Sequence, residues 1–185
     1  MIIGLTGANA SGKGEMANYL KSKGFKYYSL SDILREEAGA RGIEPSRENL
    51  IKLGNELRGQ AGPSVLADLT TKKIKDRNNY VIDSIRNPFE IKALRKLNNF
   101  TLIGIDAPVE IRFKRAIARN RPGDPRTLEE FTEKERKENI VSSTNQQLEN
   151  CLKAADVVLM NDSGLENLHK KIDETIEKIQ KTRMG

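Results

Sequence analysis

Gly7-Ala8-Asn9-Ala10-Ser11-Gly12-Lys13-Gly14 follows the apolar run Ile2-Ile3-Gly4-Leu5-Thr6 and opens a stretch of helical pattern. Two glycines enclosing four residues, with lysine directly after the second, suit a loop whose backbone N–H groups turn inward onto phosphate oxygens. The start of the following helix adds a favourable dipole, and Lys13 has the reach to touch the outer phosphates. Gly14 stands where serine or threonine commonly places a hydroxyl on magnesium, so the ion must be held another way. Glu15 falls in the first helical turn, where the dipole favours a carboxylate that points outward, away from phosphate.

Further short apolar runs occur at Tyr80-Val81-Ile82, Leu102-Ile103-Gly104-Ile105 and Val157-Val158-Leu159-Met160, with a weaker one at Tyr27-Tyr28-Ser29-Leu30. They are continuous rather than alternating, as strands covered on both faces by helices must be. Helical patterns separate them over roughly 14–23, 32–40, 47–59, 64–76, 88–97 and 109–119. Thr127-Leu128-Glu129-Glu130 and Ser163-Gly164-Leu165-Glu166 read as capping boxes of two more helices. The second box leads into Leu165, Leu168, Ile172, Ile176 and Ile179, one apolar stripe. The sequence thus predicts an α/β fold: a three-layer sandwich of about five parallel strands flanked by helices, forming a single domain over 1–185. Residues 31–76 contain no clear strand and are expected to form a helical insert over one sheet edge.

The 185 residues are 37% hydrophobic and 31% charged, and no apolar run approaches the 18 or so residues of a spanning helix. The first residues lack the basic flank and cleavage site of a signal peptide, and the expected location is cytoplasmic. One cysteine and one histidine cannot build a zinc cluster. The net charge of +6 is focused: Arg112, Lys114, Arg115, Arg119, Arg121 and Arg126 face Asp124 alone between 112 and 126. Aromatic residues make up only 5% of the chain, too few stacking platforms to favour nucleic acid as partner. A short arginine-dense stretch serves a small polyanion equally well.

Asp83 closes the Tyr80-Val81-Ile82 strand, and the carboxyl end of a parallel strand is where ligands bind in such sheets. It is the candidate for orienting hydrated Mg²⁺. Arg86, three residues on, has the rigid fork of donors that clamps an acceptor phosphate. Arg58, Gln60 and Asp68 are further candidates for an acceptor pocket or for plain helix surface.

These motifs resemble a family of P-loop nucleotide kinases, the dephospho-coenzyme A kinase-like and adenylate kinase-like phosphotransferases. The glycine loop with glycine at its eighth position is similar to that of nucleoside monophosphate kinases, which hold Mg²⁺ mostly through water. Ser31-Asp32-Ile33-Leu34-Arg35 resembles the start of their acceptor-binding helix, which implies monophosphate binding for Arg35, whereas a hydroxyl acceptor needs a carboxylate near the attacking oxygen, for which Asp83 or Asp32 could serve. Asp106-Ala107-Pro108 leading to Arg115 and Arg119 resembles the approach to their lid. That implies stacking on the donor base for Arg115, phosphate contact for Arg119, and a closing role for Arg121 in a short lid over 120–126. Ala155-Asp156-Val157-Val158-Leu159-Met160-Asn161-Asp162-Ser163-Gly164 looks like the adenine-side loop of dephospho-coenzyme A kinases and brings in Asn161.

The resemblance implies ATP and Mg²⁺ as cofactors, a small nucleotide-like acceptor as partner, and a P-loop kinase-type fold. Residues 7–15, Arg115, Arg119 and Asn161 would bind nucleotide, Asp32, Arg35, Arg58 and Arg86 the acceptor. Lys13, Asp83, Arg86, Arg119 and Arg121 would carry the catalysis. Nucleoside monophosphate and dephospho-coenzyme A stay open as acceptors. Two rival classes remain: a nucleotide-responsive binding module with little transfer, motivated by Gly14-Glu15, and a basic nucleic-acid binder using 112–126.

Overall fold

A computed structural model describes residues 1–120, 124–139 and 142–184. The chain runs β1 (Ile2–Gly7), α1 (Lys13–Ser22), β2 (Lys26–Ser29), α2 (Leu30–Ala40), α3 (Arg47–Ala61) and α4 (Val65–Thr71). It continues through β3 (Tyr80–Asp83), α5 (Pro88–Leu94), β4 (Phe100–Asp106), α6 (Val109–Arg119) and α7 (Leu128–Glu138). It ends with α8 (Leu148–Lys153), β5 (Val157–Met160) and α9 (Leu165–Met184). The five strands form one sheet in the order β2-β3-β1-β4-β5, with all four pairings parallel.

Alternation along the strands builds two cores. Ile3, Leu5, Val81, Ile103 and Ile105 pack with Met16, Leu20, Leu168 and Ile172 beneath α1 and α9. Ile2, Tyr80, Ile82 and Leu102 pack on the other face with Leu34, Leu53, Leu66 and Leu94 from α2 to α5. A sheet buried on both faces explains why its strands carry continuous apolar runs. Because β1 has β3 on one side and β4 on the other, the chain ends of all three open on one crevice, the place where open α/β sheets bind ligands.

Several elements depart from the sequence expectation. Leu30 begins α2 rather than ending β2, because the Ser29 hydroxyl accepts from the Ser31 N–H and caps the helix. The helix expected over 64–76 stops at Thr71, and the one expected over 88–97 stops at Leu94. Thr127 caps α7 by accepting from the Glu130 N–H, as read. Ser163 does not cap α9 in this way: its hydroxyl donates to Asp162, and the first helical turn closes on the Gly164 carbonyl. The six-residue α8 was not anticipated, for one turn and a half carries too little periodicity to stand out.

A candidate phosphotransfer site at the glycine loop

The loop between β1 and α1 is shaped by two glycines that no other residue replaces without displacement. Gly7 has φ +146°, and a side chain there would run into the Ile105 carbonyl of β4. Gly12 has φ +112°, and a side chain there would run into the Asn161 amide. Asn161, buried at the end of β5, is tied to Asp106 through its backbone N–H at 2.7 Å. Its Nδ2 donates to the Ser11 carbonyl at 2.8 Å. Arg115 donates to both Asn161 oxygens, at 3.1 and 3.3 Å. Arg115 and Asn161 thus meet behind the loop at Ser11.

Lys13 is the first residue of α1, half-buried, with its Nζ donating to the carbonyls of Gly7 and Ala8 at 2.7 and 2.8 Å. Burial, and then the charge of Arg86, push its pKa down to about 8, while Asp83 and Glu135 pull it back up. The Ser11 hydroxyl is buried with no hydrogen-bond partner among the described residues. Glu15 points into solvent, as expected of a carboxylate that must not oppose phosphate.

A cavity of about 540 Å³ opens in front of the loop, within the range of small-molecule sites. Gly7, Asn9 and Lys13 form one end, Ser84 and Arg86 the side beyond β3, and Arg119 the side at the end of α6. Arg35 and Arg58 border it from the helical insert. Lys13, Arg35, Arg58, Arg86 and Arg119 come from five segments far apart in sequence. Arg119 is aimed by Asp124, which accepts from Nε and Nη2 at 2.9 and 3.1 Å, and it also donates to Asn9 Oδ1 at 3.1 Å. Arg35 pairs with Asp32 at 2.6 Å on the exposed rim. Arg121 lies outside the described residues.

Asp83 sits at the carboxyl end of β3, where its Oδ1 accepts from the Ser84 N–H at 2.6 Å and its Oδ2 from the Tyr27 hydroxyl at 3.3 Å. Burial and the charge of Asp83 push the Tyr27 phenol up to about 12. Ser84 has φ +65°, a strained conformation for a residue with a side chain, at the turn that carries the chain from Asp83 to Arg86. Among the described residues no group of three or more acidic, histidine or cysteine side chains could cage a metal. A single carboxylate beside a phosphate cradle nonetheless fits Mg²⁺, which keeps most of its waters and takes one or two carboxylates plus phosphate oxygens.

Arg58 is a candidate whose place in the structure is chiefly architectural. Its guanidinium is nearly fully buried against Glu90, with Nη2 and Nε donating to Oε1 at 2.7 and 3.1 Å. The other Glu90 oxygen accepts from the backbone N–H groups of Arg86 and Asn87, at 2.9 and 3.1 Å. Asn87 completes the knot, donating to the carbonyls of Ser143 and Asn145 and so fastening the 142–147 segment beside the cavity. Replacing Glu90 by alanine strands a buried guanidinium and two amides; we expect a loss of about 3–5 kcal/mol in denaturant unfolding. Gln60 and Asp68 are exposed and bonded to Glu56 and Ser64, apart from the cavity.

Three participants were not singled out by the sequence, Arg47, Gln146 and Glu135, and Arg112 was read only as part of a charged run. Arg47, from the start of α3, borders the cavity and pairs with Glu138 of α7 at 2.6 Å. Gln146 accepts from Arg86 Nη1 at 3.3 Å. Arg112 and Glu135 form a largely buried pair that also reaches the Ala107 and Asn9 carbonyls. Lys114 is exposed, but the arginines between 112 and 119 do not form a basic outer face. Arg112, Arg115 and Arg119 all turn inward, each bonded to the loop or its supports.

A five-stranded parallel sheet in the order 2-3-1-4-5, with a glycine loop leading from its central strand into a helix, defines the P-loop kinase-like fold. The chain belongs to the family described as AAA domain, which it matches over residues 6–132, and to the UPF0200 proteins. It is 34% identical over 181 residues to a UPF0200 protein of Hyperthermus butylicus, covering 97% of this chain and 95% of that one. A second UPF0200 protein, from Pyrococcus abyssi, is 33% identical over 186 residues with 97% of both chains covered.

Among solved structures, TT1252 from Thermus thermophilus superposes with a TM-score of 0.65 at 23% identity, covering 96% of this chain and 97% of that one. The shikimate kinase of Aquifex aeolicus gives 0.57 at 18% identity with 96% and 97% covered. A gluconokinase of Sinorhizobium meliloti gives 0.58 at 10% identity with 98% and 94% covered. These likenesses share the fold.

Proposed function

We propose that the protein transfers the γ-phosphoryl group of ATP to a small nucleotide-like acceptor, a nucleoside monophosphate or dephospho-coenzyme A. The observation that carries this reading is the convergence of Lys13, Arg35, Arg86 and Arg119 on one cavity at the mouth of the glycine loop. Phosphoryl transfer asks little covalent chemistry of a protein; it asks for in-line positioning and neutralisation of spreading negative charge. The loop amides and Lys13 hold the donor's phosphates. Arg35 and Arg86 fix the acceptor, and Arg119 concentrates positive charge where the transition state develops its negative charge. Mg²⁺, when bound, neutralises phosphate charge, and Asp83 would orient its water shell.

In this reading residues 1–185 act as one P-loop kinase domain, with 31–76 as acceptor-binding insert and 120–126 as lid, Arg121 included. A reaction that consumes ATP fits a cytoplasmic location. No helix among the described residues is long and apolar enough to cross a membrane. The inward-facing arginines of α6 argue against nucleic acid as partner, since such binding needs cations on an outer face.

An acceptor panel of nucleoside monophosphates, dephospho-coenzyme A and small hydroxy acids, coupled to ADP detection, tests the proposal. Acceptor-dependent ADP release is the expected result. Thermal stabilisation by ATP with no release for any acceptor would reassign the protein to the nucleotide-responsive binding modules.

A further inference from the structure

The α6 arginines turn inward and offer nucleic acid no outer face; the chain's surplus positive charge reaches solvent elsewhere. It lies at the end of the sheet opposite the glycine loop. Five segments meet there: 21–26, 75–79, 95–99 and 153–156, each leading into a strand, and 178–183 at the close of α9. Hydrogen bonds stitch them into one face. The Lys26 N–H donates to the Asn79 carbonyl and the Ile2 N–H to the Asn99 carbonyl. Arg95 donates to the Ala154 carbonyl and to Asp156, and Arg183 to the Thr101 hydroxyl.

These segments carry eleven lysines and arginines against two aspartates, Asp76 and Asp156. That excess is larger than the net charge of +6 of the whole chain, so the remainder is acidic on balance. Helices α1, α4, α5, α8 and α9 end at or just before this face, and their dipoles place roughly half a negative charge each there, which offsets less than a third of the excess. Lys23 also pairs with Asp173 of α9. Lys75, Arg77, Lys96, Lys153, Lys178 and Lys181 are exposed and have no side-chain partner among the described residues.

The surroundings of these cations decide which polyanion fits. No exposed large apolar side chain among the described residues lies in the five segments, so the face lacks the anchors by which lipid surfaces and amphipathic helices are held. Its one aromatic residue, Phe25, is buried and offers no ring to unpaired bases. Exposed Asn78 and Asn98 add neutral donors of the kind that bond phosphate and sugar oxygens. Five strands about 4.8 Å apart give a face roughly 20 Å long. A duplex carries one phosphate charge per 1.7 Å or so of its axis, on the order of ten over that length. We infer that the amino end of the sheet docks the phosphodiester backbone of a double-stranded nucleic acid without reading its sequence. The face lies away from Lys13 and the cavity, so docking is independent of phosphotransfer and leaves the glycine loop open.

Fluorescence anisotropy of the full chain with labelled mixed-sequence duplexes of about 20 base pairs, DNA in one arm and RNA in the other, tests this. Binding in either arm supports the face, and the tighter one names the source. Affinity should fall steeply between about 50 and 200 mM salt, with a log–log slope of about −0.9 for each phosphate contact. Arg77→Gln, Lys96→Gln and Lys181→Gln combined should weaken binding by roughly 10–100-fold and flatten that slope by about two to three units. Lys52→Gln, Lys114→Gln and Arg136→Gln combined remove the same charge from outside the face and should change affinity little, since charges more than about 10 Å away are screened. All six positions are exposed, and a melting temperature close to wild type shows that each variant is folded. No binding to either duplex at about 50 mM salt, or affinity indifferent to salt, overturns the inference on the wild-type chain alone. Equal losses in the two triple variants overturn it as well. Capture by phosphatidylserine vesicles or polyglutamate without duplex binding would reassign the face to a membrane or an acidic protein.

Discussion

Lys13→Ala is expected to lower turnover by roughly 10²–10⁵-fold, the range for groups that neutralise developing charge in phosphoryl transfer. The lysine projects from the first turn of α1 into the loop and is held there by the Gly7 and Ala8 carbonyls. Its depressed pKa of about 8 makes a second, independent measurement possible. Phosphate beside the amine favours the charged form, so ATP binding must raise that pKa. Below pH 8 the lysine is charged with or without ATP, and affinity is flat. Above pH 8 binding has to take up a proton, and affinity falls by up to about tenfold per pH unit until the pKa of the complex is reached.

The linkage to folding has the opposite sign. The unfolded chain holds this proton up to the ordinary 10.5, so the lysine's contribution to stability rises between about pH 8 and 10.5. Calorimetric titration of ATP from pH 7 to 9.5 should show the fall in wild type and none in Lys13→Ala. Turnover within tenfold of wild type, or an unchanged pH slope, would remove Lys13 from the reaction.

What could be read in advance follows from how far apart the interacting residues lie. The glycine loop is a local pattern whose parts sit within eight positions, and the strands announce themselves by apolar runs because both faces of the sheet are covered. Side-chain partnerships have no such local signature. Arg47 meets Glu138 across 91 positions and Arg86 meets Gln146 across 60, so neither partner marks the other in sequence. The arginine-dense stretch shows the same limit. Counting charges found only Asp124 opposite it, whereas Glu135, one helix later, buries Arg112. Arg58 shows it in reverse. Its type suited an acceptor pocket, but Glu90, 32 positions on, commits its guanidinium to holding the β3–α5 turn. One signal was available: Asn87-Pro88 followed by Glu90 has the form of a helix start, and the structure builds a full capping box on it.

Arg86→Ala should cost as much as the lysine substitution, roughly 10²–10⁵-fold in kcat/KM for the acceptor, and it should do so without unfolding the protein. The main chain at this position is held independently of the side chain. Its N–H donates to Glu90 at 2.9 Å, and its carbonyl accepts from the Gln147 N–H at 2.7 Å. Among the described residues the guanidinium gives up only one long bond, to Gln146. A melting temperature close to wild type with a large kinetic defect is therefore the expected pairing. Arg86→Lys keeps the charge but loses the planar fork that grips two phosphate oxygens at once, so it should recover only part of the loss. Because the charge of Arg86 helps to depress Lys13, its removal should also move the onset of the pH-dependent fall in ATP affinity upward from about 8. A folded Arg86→Ala protein with wild-type turnover would refute the clamp, and an onset that stays put would show that the two cations do not share one site.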